Sequence, residues 1–398
     1  MREGWAPTAL GDVLSQASDP FQVDRAAEYV NLGVRWYGEG VFARESKRGA
    51  DIKGSRLYRV RAGQFTYNRL FAGMGSFGLV RDQHSDGVVS NEFPLFDVDD
   101  RRLVPAYLDL FFQQPSVWAR VTEQSTGTTK SRLRWKEHQL LAFQLPLPPL
   151  AEQRRIVDLI GAVDDAIEKA EASAAAAGDV YRSLADRLFR SPPASRLGDL
   201  AETVPGANWS KADEAGSAED GYEEVVGIGV TGAAGLDFSK MKYVAGLPAG
   251  VHRLRKSDLL VVRTNGNAER IGNVYSAEAL EGRPFSAFHL GLRPKSEANA
   301  ALIFHALSSP AAQRALTGMT SGSTGLKNLA AKKLLELQVP STTDESFLES
   351  LEVASSTVRQ HLTGIATLRD LRAKALPALL SGEHAVPDEY DEVMEVAA

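Results

Sequence analysis

Cysteine is absent from the 398 residues of this sequence. Its absence excludes disulfide bonds, thiolate metal sites and a cysteine nucleophile. The sequence also has no apolar run of about 18 residues, and its first residues lack the apolar region of a secretion signal. We therefore expect a cytoplasmic protein that has no membrane partner.

Catalytic motifs are equally scarce. There is no Walker A loop, no His-Glu-x-x-His zinc motif and no Gly-x-Ser-x-Gly nucleophile elbow, and the seven histidines show no metal-ligand spacing. Two Gly-x-Gly-x-x-Gly matches, which start at Gly73 and Gly227, lack the helix and the acidic residue that a dinucleotide site requires, so we interpret them as turns. We expect no catalytic residue, metal or cofactor in this chain.

The net charge of −6 comes from one end of the chain. Residues 383–398 contain six acidic side chains and no Lys or Arg, which predicts an acidic, disordered tail. The rest of the chain is neutral overall. The acidic total therefore does not exclude a nucleic-acid partner, and local patches of charge decide the question.

The sequence repeats itself at an offset of 194 residues, since Arg69 corresponds to Arg263 and residues 144–146 correspond to residues 338–340. A Leu-Gly-Asp tripeptide opens each copy, at residues 10–12 and 197–199. Each copy contains β-rich stretches, a short helical region and a long helix. The predicted fold class is α+β, with a pseudo-two-fold internal repeat.

Apolar residues at steps of three and four predict two long helices. In the first, residues 145–190, Ile156, Ile160 and Val163 share one face; the second, residues 341–382, has Gly382 at a C-cap position. We expect an antiparallel coiled coil that sets the distance between the two domains, residues 1–144 and 196–340. The alternative is that each helix packs on its own domain.

Two windows carry basic and aromatic residues but no acid: residues 52–81, with six basic side chains, and residues 239–257, with five. A third basic cluster (Lys130, Arg132, Arg134 and Lys136) follows a Ser/Thr/Gly-rich loop, and a similar loop at residues 321–325 precedes Lys327. Such side chains suit phosphate contacts and base-edge readout, whereas the alternative is an ordinary solvated strand face. The candidate DNA-binding residues are Lys53, Arg59, Arg61, Tyr67, Asn68, Arg69, Arg253, Arg255, Arg263, Asn265, Asn267 and Lys327.

Residues 145–156 read Leu-Pro-Leu-Pro-Pro-Leu-Ala-Glu-Gln-Arg-Arg-Ile, a string that resembles the conserved region of type I restriction-modification specificity subunits. The Leu-Gly-Asp opening, the Ser-Thr-Gly loop and the repeat are similar to that family as well. The resemblance covers residues 9–382. It implies two target recognition domains, each mixed α/β with a β-rich core, separated by two long antiparallel spacer helices. In the second copy, residues 339–345 lack the double proline and the Glu-Gln pair.

The resemblance implies a non-catalytic subunit that binds double-stranded DNA at an asymmetric, bipartite target. It implies methyltransferase subunits and a restriction and translocase subunit as partners, which carry S-adenosylmethionine and ATP with Mg²⁺. The candidate partner-docking residues are Pro148, Glu152, Gln153 and Arg155 on the first helix and Arg359 and Arg369 on the second. The alternative is a scaffold that bridges other proteins without binding DNA, which the acidic total and the altered second string favour.

Overall fold

The computed structural model describes residues 4–127, 133–215, 217–218, 221–232, 235–322, 325–341, 343–387 and 390. The chain divides into two compact units. Unit 1 comprises Met1–Glu168 and Ala366–Ala398, and unit 2 comprises Lys169–Ile365.

Unit 1 begins with the β-rich part of the first repeat. Its strands are β1 (Ala6–Ala9), β2 (Leu14–Ala17), β3 (Pro20–Gln22), β4 (Glu28–Val34), β5 (Val41–Arg48), β6 (Arg56–Arg59), β7 (Phe65–Tyr67), β8 (Phe77–Leu79), β9 (Val88–Val89), β10 (Leu95–Val98) and β11 (Gln144–Leu147). Its helices are α1 (Pro105–Phe112), α2 (Pro115–Gln124), α3 (Glu137–Ala142) and the first part of α4 (Leu150–Phe189). A four-stranded antiparallel sheet has the order β2-β10-β7-β8, a five-stranded sheet has the order β3-β6-β9-β4-β5, and β1 pairs with β11.

The core of unit 1 is aromatic. Phe65 and Tyr67 on β7 and Phe77 on β8 pack with Phe112 of α1 and with Trp135, and all five side chains are at most 1% exposed. The ring centroids of Phe77 and Phe112 are 4.4 Å apart. Because large rings remove much apolar surface from water, this cluster fixes β7 and the segment that follows it.

Unit 2 contains the second repeat. Its strands are β12 (Ala194–Arg196), β13 (Ala201–Pro205), β14 (Glu214–Ala215), β15 (Tyr222–Val225), β16 (Thr231–Gly232), β17 (Gly235–Leu236), β18 (Lys242–Ala245), β19 (Leu259–Val262), β20 (Thr264–Asn265), β21 (Val274–Ser276), β22 (His289–Pro294), β23 (Lys327–Asn328) and β24 (Gln338–Pro340). Its helices are α5 (Leu197–Leu200), α6 (Glu297–Ser308), α7 (Pro310–Gly318), α8 (Ala331–Leu335) and the first part of α9 (Glu345–Leu380). The sheet orders are β13-β22-β19-β21 and β14-β18-β15, with the pairs β12-β24, β16-β17 and β20-β23.

The predicted internal repeat is present in the two folds. The four-stranded sheets match strand for strand, and the pair β1-β11 corresponds to the pair β12-β24. A backbone hydrogen bond from Trp135 N to Arg69 O (3.0 Å) has its counterpart from Leu329 N to Arg263 O (2.9 Å), at the same offset of 194 residues. In each unit a proline also separates two short helices, since Pro115 and Pro310 open α2 and α7. Mixed α/β units with long helices therefore agree with the predicted fold class.

In unit 1 the long helices run antiparallel and pack on the domain core. Ile156 and Ile160 of α4 are fully buried in the core cluster that contains Leu376 and Leu379 of α9. Asp164 accepts hydrogen bonds from Arg372. The sequence left two arrangements open, packing of the long helices on each other and packing of each helix on its own domain. In this unit both occur together.

In unit 2 the helices also run antiparallel. Leu188 of α4 packs in one cluster with Phe347 and Leu351 of α9, and the Arg187 guanidinium lies 5.1 Å from the centroid of the Phe347 ring. These contacts bury Leu188 and Leu351 completely.

Two predicted boundaries need correction. The first long helix begins at Leu150 and not at residue 145, because residues 144–147 form β11. The predicted disordered tail is wrong for its first residues, because Val386 is only 4% exposed and Tyr390 packs against the core of unit 1. Gly382 has a φ of +76°, which confirms a left-handed residue after the end of α9. Residues 388, 389 and 391–398 lie outside the described part of the chain.

No described helix combines the length and the hydropathy that crossing a bilayer requires. Within the same residues, no group of three or more His, Asp or Glu side chains is placed to hold a metal ion.

Candidate nucleic-acid interface

The first candidate DNA-binding residues of unit 1 lie on β6 or within a few residues of its ends. Lys53 is exposed. Arg59 lies 3.7 Å from the Asp19 carboxylate and 4.5 Å from the centroid of the Phe21 ring. Arg61 donates to both carboxylate oxygens of Asp97, at 2.8 and 2.9 Å.

These arginines line a polar cleft of about 240 Å³, together with Ser18 and Gln64. Partial burial opposes ionisation of Asp97, but hydrogen bonds from Gln64 and Arg61 hold the pKa of this carboxyl below its usual range. The cleft therefore contains charges of both signs.

Tyr67 is not available to DNA, and the prediction for this residue is wrong. Its side chain is fully buried, and its hydroxyl donates to the Trp135 carbonyl oxygen at 3.0 Å. Burial raises the pKa of the Tyr67 hydroxyl far above its usual value. An aromatic residue in a basic window can be a core residue when its strand is covered on both faces, as β7 is.

Arg69 and Asn68 make hydrogen bonds within unit 1. The Arg69 guanidinium donates to the Glu137 carboxylate and to the Asn91 carbonyl oxygen, and its side chain is 20% exposed. The Asn68 side-chain oxygen accepts from Leu70 N at 3.0 Å. Arg69 thus joins separate segments around the end of β7.

The acid-free windows of the sequence are not acid-free surfaces. Acidic residues from other parts of the chain pair with their basic side chains. In unit 2 the pairs are Arg253–Glu223 (2.6 Å), Lys242–Glu214 (2.9 Å) and Lys256–Glu278 (3.3 Å). In unit 1 they are the pairs described above, Arg59–Asp19, Arg61–Asp97 and Arg69–Glu137. The two acid-free windows of sequence therefore do not form strongly basic surfaces. Exposed ion pairs of this kind contribute about 0–1 kcal/mol each, so DNA phosphates can compete for the basic partners.

In unit 2, four candidate residues lie on or beside one structure, which we call the β20–β23 ribbon. It consists of Thr264–Asn265 paired with Lys327–Asn328, and Asn265 lies opposite Lys327. The Asn328 side-chain oxygen accepts from Arg263 Nε (3.1 Å) and from Thr264 Oγ1 (2.7 Å). The ribbon is thereby fixed to the end of β19.

Asn265 of the ribbon and Asn267, two residues further along the chain, have only their amide nitrogens available. The Asn265 side-chain oxygen accepts from Asn267 N at 2.9 Å, and the Asn267 side-chain oxygen accepts from Glu269 N at 3.0 Å. In the described part of the chain, neither Nδ2 donates to a protein acceptor. Bidentate readout of adenine needs both amide atoms, so this role does not suit Asn265 or Asn267.

Two apolar side chains beside the ribbon were missed by sequence reasoning. Phe288 is 46% exposed, and its carbonyl oxygen accepts from Arg263 N (2.8 Å) and Thr264 N (3.1 Å). Leu326, next to Lys327, is 53% exposed. No sequence signal separates these residues from core residues, because their exposure depends on how the loops pack.

Unit 1 has different chemistry at the corresponding place. The Glu92 carbonyl oxygen accepts from Arg69 N at 3.0 Å, as that of Phe288 does from Arg263 N. The Glu92 carboxylate forms two hydrogen bonds with Arg134, at 3.1 and 3.2 Å. Lys130 and Arg132 of the third basic cluster, and Ser323 and Thr324 of the loop in unit 2, lie outside the described residues.

The remaining candidate residues of unit 2 precede β19. Arg253 donates to the Glu223 carboxylate and to the Gly282 carbonyl oxygen (3.2 Å). Arg255 has an exposed side chain, and its backbone N–H donates to Asp258 at 2.9 Å. Arg293 pairs with this buried aspartate at 2.9 Å, so the local turn is held by internal bonds.

The predicted docking string serves mainly as an internal anchor. Gln153 is fully buried: its side-chain oxygen accepts from Val104 N (2.7 Å), and its amide nitrogen donates to Arg102 O (2.9 Å) and Pro148 O (2.8 Å). Glu152 is 9% exposed and accepts from Trp5 Nε1 at 3.1 Å.

The docking roles predicted for Pro148, Glu152 and Gln153 are therefore wrong, because these residues are buried and join α4 to unit 1. Arg155 is half-buried. The start of α9 uses different chemistry, since the Asp344 carboxylate accepts from Ser346 N at 2.8 Å as a helix cap.

The two candidates on α9 are accessible. Arg359 is 59% exposed in its side chain and donates to Ser355 Oγ at 2.6 Å. Arg369 is also exposed. Their docking role stays a prediction.

Comparison of the sequence with family models and with curated proteins finds no match. Comparison of the structure with solved structures finds similar proteins. A chain from work on complex assembly and conformational transition of the type I restriction-modification system is 15% identical, with a TM-score of 0.56 over 96% of this chain and 98% of that chain. The S subunit of a type I restriction-modification system from M. genitalium is 11% identical, with a TM-score of 0.58 over 94% and 96%.

A further similar structure is the HsdS subunit from Thermoanaerobacter tengcongensis, at 15% identity and a TM-score of 0.48 over 96% of this chain and 98% of that chain. The two likenesses with the higher TM-scores extend over both units of the present chain and over nearly the whole length of the matched chains. They show that this chain has the fold of those proteins.

Proposed function

We propose that this chain is the DNA sequence-specificity subunit of a type I restriction-modification complex. Each unit binds one half of a bipartite target in double-stranded DNA. The observation that supports this most strongly is the internal repeat: two units with the same sheet order carry different side chains at corresponding exposed places. A repeated scaffold with differing contact residues suits a target of two unlike halves.

The candidate contact residues support an asymmetric target. Unit 1 has the Glu92–Arg134 ion pair beside Arg69, whereas unit 2 has the exposed Phe288 and the β20–β23 ribbon beside Arg263. Because a carboxylate–guanidinium pair and an aromatic ring contact different base edges, the two half-sites are expected to differ in sequence.

The chain works with partner subunits and has no catalytic role of its own. Methyltransferase subunits bind S-adenosylmethionine, and a restriction and translocase subunit uses ATP and Mg²⁺. Arg155, Arg359 and Arg369 remain candidate docking residues for these partners. The internal use of Gln153 assigns the Pro-Leu-Pro-Pro-Leu-Ala-Glu-Gln string to holding α4 on unit 1.

DNA selection by the assembled complex tests this function. The full chain with its methyltransferase partner is incubated with a pool of random duplexes, and the retained duplexes are sequenced. We expect enrichment of two short, unlike sequences at a fixed separation, and binding whose log affinity falls linearly with log salt concentration. Enrichment of no sequence, with the methyltransferase bound to the chain, would contradict the proposal.

A scaffold that bridges other proteins is the second candidate. Internal pairing of the basic windows with distant acids favours it, because this pairing reduces the positive charge offered to DNA. The same experiment separates the two candidates. A scaffold retains its protein partners and selects no DNA sequence.

A further inference from the structure

The β20–β23 ribbon combines apolar groups with hydrogen-bond donors. Phe288 and Leu326 are large apolar side chains with about half of their surface exposed, although burial of such side chains is favourable. They lie next to the backbone of Arg263 and Lys327, within the group of residues that supplies the predicted DNA contacts. A partner that covers Phe288 and Leu326 must therefore carry an apolar group close to its own polar groups.

The polar groups beside them are donors. The side-chain oxygens of Asn265 and Asn267 already accept backbone N–H groups, so the Nδ2 atoms are what these residues offer. Lys327 adds an ammonium group, which only donates. The Asn328 oxygen accepts from Arg263 and Thr264 and is used in the same way.

Thymine matches this combination better than the other bases do. In the major groove it shows an acceptor, O4, beside an apolar 5-methyl group. Cytosine shows an amino donor in place of O4 and has no methyl group, and guanine shows acceptors without an apolar group. Adenine shows an acceptor beside a donor, which suits an asparagine with both amide atoms available.

We infer that unit 2 reads a thymine in its half-site, with Phe288 and Leu326 against the 5-methyl group and an amide or ammonium donor of Asn265, Asn267 or Lys327 at O4. A two-stranded ribbon fits the width of the major groove. This inference rests on the proposed function, since it names a base within the target that the chain is proposed to bind.

Replacement of thymine by uracil tests the inference, because uracil lacks only the methyl group. The full chain with its methyltransferase partner is titrated with duplexes that carry the selected target, and each thymine of both half-sites is replaced in turn. At one position of one half-site we expect wild-type affinity to fall about three- to fivefold, the effect of one buried methyl group. Phe288→Ala should bind the thymine duplex about tenfold more weakly and should lose most of the discrimination between thymine and uracil there, because only Leu326 then remains against the methyl group.

Phe238→Ala is the matched control. Phe238 is 48% exposed in unit 2 and lies on a separate turn, Phe238–Lys240, so its replacement should leave the discrimination between thymine and uracil unchanged. Because both side chains are about half exposed, urea unfolding should show both variants to be folded.

Three results would overturn the inference while the proposed function stands. The target could contain no thymine in one of its half-sites at a position sensitive to the methyl group, Phe288→Ala could keep the discrimination, or Phe288→Ala could weaken binding of the methyltransferase and not of DNA. If the wild-type complex selects no DNA at all, the proposed function itself fails.

Discussion

Replacing Gln153 tests whether this residue anchors α4 inside unit 1 or docks a partner subunit. Its fully buried amide makes three hydrogen bonds to backbone groups, and the Val104 N–H, the Arg102 carbonyl and the Pro148 carbonyl would lose this partner in Gln153→Ala. A buried polar group left without a partner costs about 1–3 kcal/mol. Since water can replace part of these bonds in the space of the lost side chain, we expect a loss of about 3–5 kcal/mol in the free energy of unfolding of unit 1.

Gln153→Glu refines the test because it keeps the volume of the side chain. The carboxylate can still accept from Val104 N, but it cannot donate to the two carbonyl oxygens and brings a charge into a buried site. We expect a loss at neutral pH at least as large as that of Gln153→Ala. If Gln153 contributed packing alone, Gln153→Glu would lower the free energy of unfolding very little.

Urea unfolding followed by tryptophan fluorescence is the assay. Trp5, Trp36, Trp118 and Trp135 belong to unit 1, so the signal reports mainly on the unit that contains the Gln153 bonds. Arg154→Ala is the control, because Arg154 is the exposed neighbour on the same helix. If Gln153→Ala unfolds at the same urea concentration as the wild type but binds the methyltransferase more weakly, the anchor interpretation is refuted and the docking interpretation is restored.

Two further predictions concern the half-buried Asp109 and the fully buried Tyr67 of unit 1. Burial raises the pKa of Asp109 to about 6 from 3.8, so the folded state keeps a proton that the unfolded state has released, and stability falls as pH rises from about 4 to 6. In urea unfolding, Asp109→Asn should be more stable than the wild type by up to about 2–3 kcal/mol at pH 8 and nearly equal to it at pH 4. Equal stability of the two proteins at both pH values would refute this prediction. Tyr67→Phe removes the hydrogen bond to the Trp135 carbonyl and should cost about 1–2 kcal/mol of unfolding free energy without changing the selected DNA sequence, whereas a changed sequence would return Tyr67 to the interface.

Local and repeated patterns were predictable from the sequence. The offset that relates Arg69 to Arg263 also relates the backbone hydrogen bonds around these residues, because the repeat preserves the fold around them. The helical period placed Ile156 and Ile160 on a buried face, and Gly382 ends α9 with the expected left-handed φ.

The partners of charged and polar side chains were not predictable, because the fold brings them from distant parts of the chain. Asp97 reaches Arg61 through the pairing of β10 with β7, and Arg102 and Val104 reach Gln153 at the start of α4. A window of sequence without acids therefore does not predict a surface without acids. The exposure of Phe288 depends on loop packing in the same way.

The buried Gln153 also changes what the Glu-Gln pair indicates. In the first copy the pair fastens α4 to unit 1, and in the second copy Asp344 caps α9 instead. The two copies therefore begin their long helices with different contacts: bonds to distant backbone groups in the first copy and a local helix cap in the second.

The central claim, that this chain selects the DNA sequence on which a methyltransferase acts, is tested most directly by methylation-aware sequencing. DNA is sequenced from cells that contain the methyltransferase partner with the wild-type chain, with Phe288→Ala, or without the chain. We predict a bipartite, asymmetric methylated motif that requires the chain, and a change in one half of that motif in Phe288→Ala. The same methylated motif with and without the chain would contradict the account.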